Sequence, residues 1–120
     1  MTAFDFTKTY YKITNKEEIH YNYQYKDGLN VLDKKFQKEG SCVSGGLYFT
    51  DAKNLHNFYH YGVYVREITI PTDAQIVKDS SMNKYRCDKM ILGKKTSLEE
   101  CEYLVKIGLN NSRLKSIKIL

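Results

Sequence analysis

The sequence predicts an α+β domain, a small and mostly antiparallel sheet carrying two or three short helices. Two observations lead there. Short runs of β-branched and aromatic residues alternate with polar ones at period two, which is the spacing of half-buried strands. Between them lie two segments with apolar residues at helical spacing, each opened by a capping residue and closed by a glycine. Strands that come in runs, broken by occasional helices, fit α+β and do not fit a βαβ repeat.

The elements follow in order. Residues 1–9 read as a loose leader. Tyr10 to Thr14, YYKIT, is aromatic and β-branched and reads as a strand. His20 to Tyr25 alternates strictly and places Tyr21, Tyr23 and Tyr25 on one face of a strand. Lys26-Asp27-Gly28 is a turn signal, and Leu29 to Leu32 returns as the second arm of a hairpin over 21–32. Residues 33–46 are polar and glycine-rich and read as a connector. Leu47-Tyr48-Phe49 is a short strand. Thr50 or Asp51 then caps an α-helix of about three turns, with Ala52, Leu55, Phe58 and Tyr59 on its apolar face and Gly62 at its stop.

Val63 to Ile70 is the clearest strand and closes at Pro71, the single proline. Alternation puts Val63, Val65, Glu67 and Thr69 on one face, and Tyr64, Arg66, Ile68 and Ile70 on the other. Ala74 to Val77 and Lys84 to Leu92 read as two more strands, the second ending at Gly93. Ser97-Leu98-Glu99-Glu100 is a capping box that opens a helix to Gly108. Residues 109–120 form a basic, amphipathic C-terminal segment. The whole of 1–120 is expected to make one α+β domain.

Composition narrows the function. The net charge is +5, with the excess toward the C-terminus at Lys94, Lys95, Arg113, Lys115 and Lys118. Lys outnumbers Arg 16 to 3, whereas nucleic-acid readers favour Arg for bidentate contacts, so a solvated basic face is expected. No run is long and apolar enough to cross a membrane, and MTAFDFTKTYYKITNK lacks the pattern of a secretory signal. An intracellular protein with free thiols at Cys42, Cys87 and Cys101 is therefore expected.

Candidate sites are few. His56 and His60 lie four apart, which an α-helix would align, but no third ligand is signalled and no metal is expected. Glu67 stands mid-strand, either solvated or beside a cross-strand lysine. Tyr21, Tyr23 and Tyr25, with Lys94, Lys95, Arg113 and Lys115, form the candidate binding set. Tyrosines on a sheet can stack on bases or face a protein. No phosphate loop or nucleophile–base pair appears, so neither a cofactor nor a catalytic residue is assigned.

Two resemblances add to this reading. The blocks YYKITN, YQYKDGLNVL, GSCVSGGLYFTDAKNLHNFYHYG, VYVREITIP and NKYRCDKMILG resemble the N-terminal region of giant-virus, mimivirus-type ankyrin-repeat proteins and their short relatives. That resemblance runs from residue 10 to about 108. It implies a viral protein in the cytoplasm of an infected host cell or in the virion. Locally, GGLYFTDAKNLHNFY also resembles the strand, turn and helix of the ADP-ribosyltransferase fold. This second resemblance implies a pocket around Gly46 with Tyr48, Tyr59 and Glu67, although His20 is followed by Tyr21 where that family has glycine. The leading expectation is a non-enzymatic adaptor that binds a viral or host protein. An NAD-pocket protein and a nucleic-acid-binding accessory protein are the alternatives.

Overall fold

Antiparallel pairing accounts for nearly all the regular structure. The computed structural model describes residues 4–40, 43–79 and 83–98. Among these residues, nine strands and one helix follow in the order β1 (Tyr10–Thr14), β2 (Ile19–His20), β3 (Tyr23–Gln24), β4 (Gly28–Val31), β5 (Leu47–Phe49), a 3₁₀ helix (Ala52–Tyr61), β6 (Tyr64–Thr69), β7 (Ile76–Asp79), β8 (Lys84–Cys87) and β9 (Lys89–Ser97). They build a four-stranded sheet β1-β6-β9-β4, a three-stranded sheet β5-β8-β7 and the small β2-β3 hairpin. The expected α+β class is thus corrected to a mostly β architecture, with 44% strand and 11% helix among the described residues.

Four local rules account for the difference. The helix is 3₁₀, with Ala52, Leu55 and Phe58 recurring every third residue, the period of that helix, and Tyr59 adding to its buried face. Asp51 caps it, as expected, by accepting from the Asn54 amide at 3.0 Å. Strict alternation over 20–25 is interrupted because Tyr21 and Asn22 both take positive φ. Two such residues form a tight hairpin turn, so His20 pairs with Tyr23 across it. Leu29 to Val31 extends as expected, but it pairs with β9 and not with the tyrosine segment. The run over 84–92 divides at Asp88, whose carboxylate accepts from the Gln75 amide (2.7 Å) and its side-chain nitrogen (3.1 Å). β8 lies in one sheet and β9 continues into the other. The expected helix from Ser97 begins inside β9, Leu98 follows as a turn, and residues 99–108 lie outside the described residues.

Alternation along β1 and β6 produces three layers. Tyr11, Ile13 and Val65 face the 3₁₀ helix and cluster with Leu55, Phe58, Tyr59 and Leu98. Tyr10 and Ile68 face the other way and pack with Leu47, Phe49, Cys87, Met90 and Leu92 between the two larger sheets. Phe4 stacks on Tyr10 with ring centroids 4.9 Å apart, which draws the segment before β1 onto this core. Glu67 stands opposite Gly93 and Lys94 in a bulge, since Arg66 pairs with Lys95 and Ile68 with Leu92.

Two buried arginines tie the loops to this frame. Arg66 reaches Asp27 (2.5 Å) and the Gly93 carbonyl (2.8 Å). Its Nε lies 3.0 Å from Glu18 Oε2, off the line of a hydrogen bond, so that contact is ionic. Arg86 donates to the carbonyls of Gln37 (2.7 Å) and Gly40 (2.9 Å), which gathers the 33–40 segment onto β8. Gly46 makes room for it, because a Cβ there would sit 2.7 Å from Arg86 Cδ.

Candidate functional site

A cavity of about 130 Å³ opens at the outer edge of β1. Its position follows from strand order, since β1 ends the four-stranded sheet. Tyr11 exchanges two 2.8 Å backbone hydrogen bonds with Thr50 on that outer side. Alternate residues of an antiparallel strand point their amide groups the same way, so the N–H and C=O of Ile13 also face outward, toward the cavity Ile13 lines. The floor is β1. The walls are the β2-β3 hairpin with His20 and Tyr21, β5 with Tyr48, and Lys84 of β8. Phe58 and Tyr61 of the helix complete it.

Asn15 shapes the hairpin wall. Its side chain accepts from the Ile19 amide (3.0 Å) and donates to the Ile19 carbonyl (2.9 Å). That loop turns Glu18 inward, where its carboxylate accepts from Thr14 Oγ1 at 2.9 Å, meets Arg66 and lies 3.7 Å from Lys95. Among the described residues Glu18 is the one carboxylate in the cavity wall, and it is already engaged by β1, β6 and β9.

Lys12 is the centre of the site. Its residue is 5% exposed although it carries an ammonium group. Nζ donates to the Tyr48 carbonyl at 2.9 Å, lies 3.4 Å from His20 Nδ1 and sits 4.7 Å from the centre of the Tyr25 ring. Burial lowers its pKa to about 7; the neighbouring Cys87 opposes that shift and the charge of Lys84 adds to it. Burial likewise lowers His20 to about 3, with Lys12 and Lys84 acting in the same direction. His20 is thus neutral at pH 7, and accepting from Lys12 at Nδ1 places its proton on Nε2. Lys84, in the wall, lies over the Tyr48 ring at 4.4 Å, while Lys12, in the floor, meets the Tyr48 carbonyl.

The residues expected from the sequence are dispersed. Tyr21 is exposed at the cavity rim and stacks on His20, with centroids 4.5 Å apart. Tyr23 is half-buried and meets Tyr25 edge-on, while Tyr25 is buried. The three therefore do not share one face. Lys94 and Lys95 are exposed on β9, and Lys95 lies over the Tyr64 ring. Arg113 and Lys115 lie outside the described residues, as do Cys42 and Cys101. Tyr48 lines the cavity, but Tyr59 is packed beneath the helix and Glu67 stands opposite Tyr11 on β6, so those three do not converge.

His56 and His60 are not aligned either. A 3₁₀ helix turns about 120° per residue, so positions four apart differ by about 120°. Among the described residues, no group of three or more His, Cys, Asp or Glu is placed to hold a metal. Sequence reading missed Lys12 and Lys84. A lysine between Tyr11 and Ile13 reads as the solvated member of its row, and only the sheet packed over that row reveals its burial.

The fold and the cavity define a class, an antiparallel β domain with a basic, aromatic-walled pocket at a sheet edge. Comparison with known proteins gives its family. An ankyrin repeat protein of Acanthamoeba polyphaga mimivirus is 43% identical over 112 residues, covering 87% of this chain and 56% of that protein. An uncharacterized protein of the same virus is 38% identical over 110 residues, covering 86% of this chain and 80% of its own length. A second ankyrin repeat protein of that virus is 34% identical over 120 residues, covering 86% of this chain and 39% of that protein. The chain belongs to this family of mimivirus-type, ankyrin-associated domains. No family model and no solved structure matches it.

Proposed function

We propose that this domain is a non-enzymatic recognition module that binds a viral or host protein in the cytoplasm of the infected cell. One observation carries the reading. Ile19, Tyr21 and Tyr61 are large apolar residues left exposed at the cavity rim, and tyrosine is a frequent anchor of protein interfaces. The family supports it, since relatives named for ankyrin repeats carry a matching region within longer chains. Among the described residues, no helix is long and apolar enough to cross a membrane.

The test uses the full chain as bait in extract of infected Acanthamoeba, beside a Tyr21→Ser/Tyr61→Ser double variant whose fold is checked by circular dichroism. A partner recovered by the parent and depleted about tenfold by the variant supports the reading. Recovery of no specific protein, or equal recovery by both, overturns it.

A further inference from the structure

The hydrogen bonds of Lys12 suit an uncharged side chain. A neutral amine has two N–H donors and one lone pair, where an ammonium has three donors. Nζ meets two acceptors, the Tyr48 carbonyl at 2.9 Å and His20 Nδ1 at 3.4 Å, which take the two N–H groups and leave the lone pair. The Tyr25 ring face, 4.7 Å away, attracts a cation, but by less than burial costs one. His20, Tyr25 and Tyr48 all line the cavity, so the amine end of the side chain stands at the cavity. Lys84 and Cys87 face Lys12 from β8. Burial keeps the Tyr25 and Tyr48 phenols and the Cys87 thiol neutral at pH 7, and the charge of Lys84 disfavours a second cation beside it. Glu18, also in the wall, is turned to Thr14, Arg66 and Lys95.

We propose that Lys12 is a nucleophilic amine that captures a short aldehyde from the cavity as an imine. The lone pair of Nζ attacks the carbonyl carbon and forms the C–N bond, while the carbonyl π pair passes to oxygen, which takes a proton. The carbinolamine then expels that oxygen as water, which carries away both amine protons, and the C=N bond is left. The step is a condensation and needs no oxidant or reductant. An aldehyde fits on two counts. It is uncharged, so it enters an aromatic-walled cavity without the cost of burying an ion. It is also short: about 130 Å³ admits a chain of about four heavy atoms, taking roughly 30 Å³ for each water-sized group. Burial lowers the Lys12 pKa to about 7, so about half of the side chain is amine at neutral pH, against fewer than about one in a thousand for an ordinary lysine. The inference goes beyond protein recognition and does not depend on it.

The test uses the full chain with propionaldehyde and sodium cyanoborohydride, which gives hydride to an imine and fixes it as a propylated lysine. Each site is followed by peptide mass spectrometry between pH 5.5 and 9.5. At pH 7 Lys12 should be propylated about tenfold faster than Lys16, an exposed lysine of the β1–β2 loop. The expected ratio is about ten and not a thousand because a less basic amine is also a weaker nucleophile. Above about pH 8 the ratio should fall, since an ordinary lysine still gains amine there and Lys12 no longer does. In denaturing urea it should return to near one. A ratio near or below one at pH 7 overturns the proposal, as does a ratio that stays constant across the pH range or a preference for Lys12 that survives urea.

Discussion

The ammonium of Lys12 lies 2.9 Å from the carbonyl oxygen of Tyr48 and joins the edge of one sheet to the edge of the next. The contact is short, but a carbonyl offers only partial charge to a cation held away from water. Its consequence is a pH dependence of stability.

In the folded chain Lys12 releases its proton near pH 7, whereas an unfolded lysine keeps it to about 10.5. Between those values the unfolded state binds more protons, so stability rises with pH at up to about 1.4 kcal/mol per unit. The groups facing Lys12 are His20, Lys84, Tyr25, Tyr48 and Cys87. Burial raises the Cys87 thiol and the Tyr25 phenol, which turns the curve downward above about pH 9. Urea midpoints should therefore climb from pH 7 to 9. Lys12→Met should flatten that climb and raise stability at pH 7 by about 1 kcal/mol or more.

A separate limb is expected in acid. His20 stays neutral to about pH 3 in the fold but takes a proton near pH 6.5 when unfolded. The contribution of its neutral form is fully present above pH 6.5 and is lost as pH falls toward 3. His20→Phe should reduce the acid slope in urea melts recorded at pH 6.5, 5.5 and 4.5. An unchanged slope would place the acid sensitivity in the carboxylates.

Gly62 is required by close approach and not by its own dihedral angle. Its φ of −177° is open to any residue, but an added Cβ would lie 2.0 Å from the Thr14 carbonyl oxygen. Gly62→Ala should destabilise the fold by about 3 kcal/mol, because strand and helix end must part. Gly28→Ala is the comparison. Gly28 has φ +82° with open space around it, so about 1 kcal/mol of backbone strain is expected. Thermal melts of the two variants should rank in that order.

Arg86 acts on the 33–40 segment through two carbonyls and lies 3.8 Å from the buried Asp79 carboxylate. Arg86→Met removes those contacts and weakens the charge balance at Asp79. A loss of about 3 kcal/mol is expected, with faster proteolysis within 33–40 than in the parent. Equal cleavage rates would count against this role.

Much of the sheet was legible because it rests on local chemistry. YYKIT, LYF and the run after Val63 fold where their β-branched and aromatic residues imply, and Asp51 caps the helix it precedes. Pairing was less legible. Leu29 to Val31 joins β9 across sixty residues of sequence, and a strand's own pattern does not name its neighbour. The helix type was present in the three-residue spacing of Ala52, Leu55 and Phe58, which resembles the α pattern over so short a run. The cavity was the least legible part. Lys12 and Lys84 lie 72 residues apart, and each looks like an ordinary surface lysine in its own segment. Only the closure of β5 over β1, fixed by the Tyr11–Thr50 bridge, brings them to one cavity.

The crossing of the chain from β8 to β9 at Asp88 has a consequence for how the molecule comes apart. One continuous backbone belongs to both larger sheets, with only a hinge residue between its two halves. Neither sheet can shed its share of that segment without pulling on the other. Amide protons of Cys87 and Met90, one on each side of the hinge, should therefore exchange with solvent through the same opening event and at matched free energies.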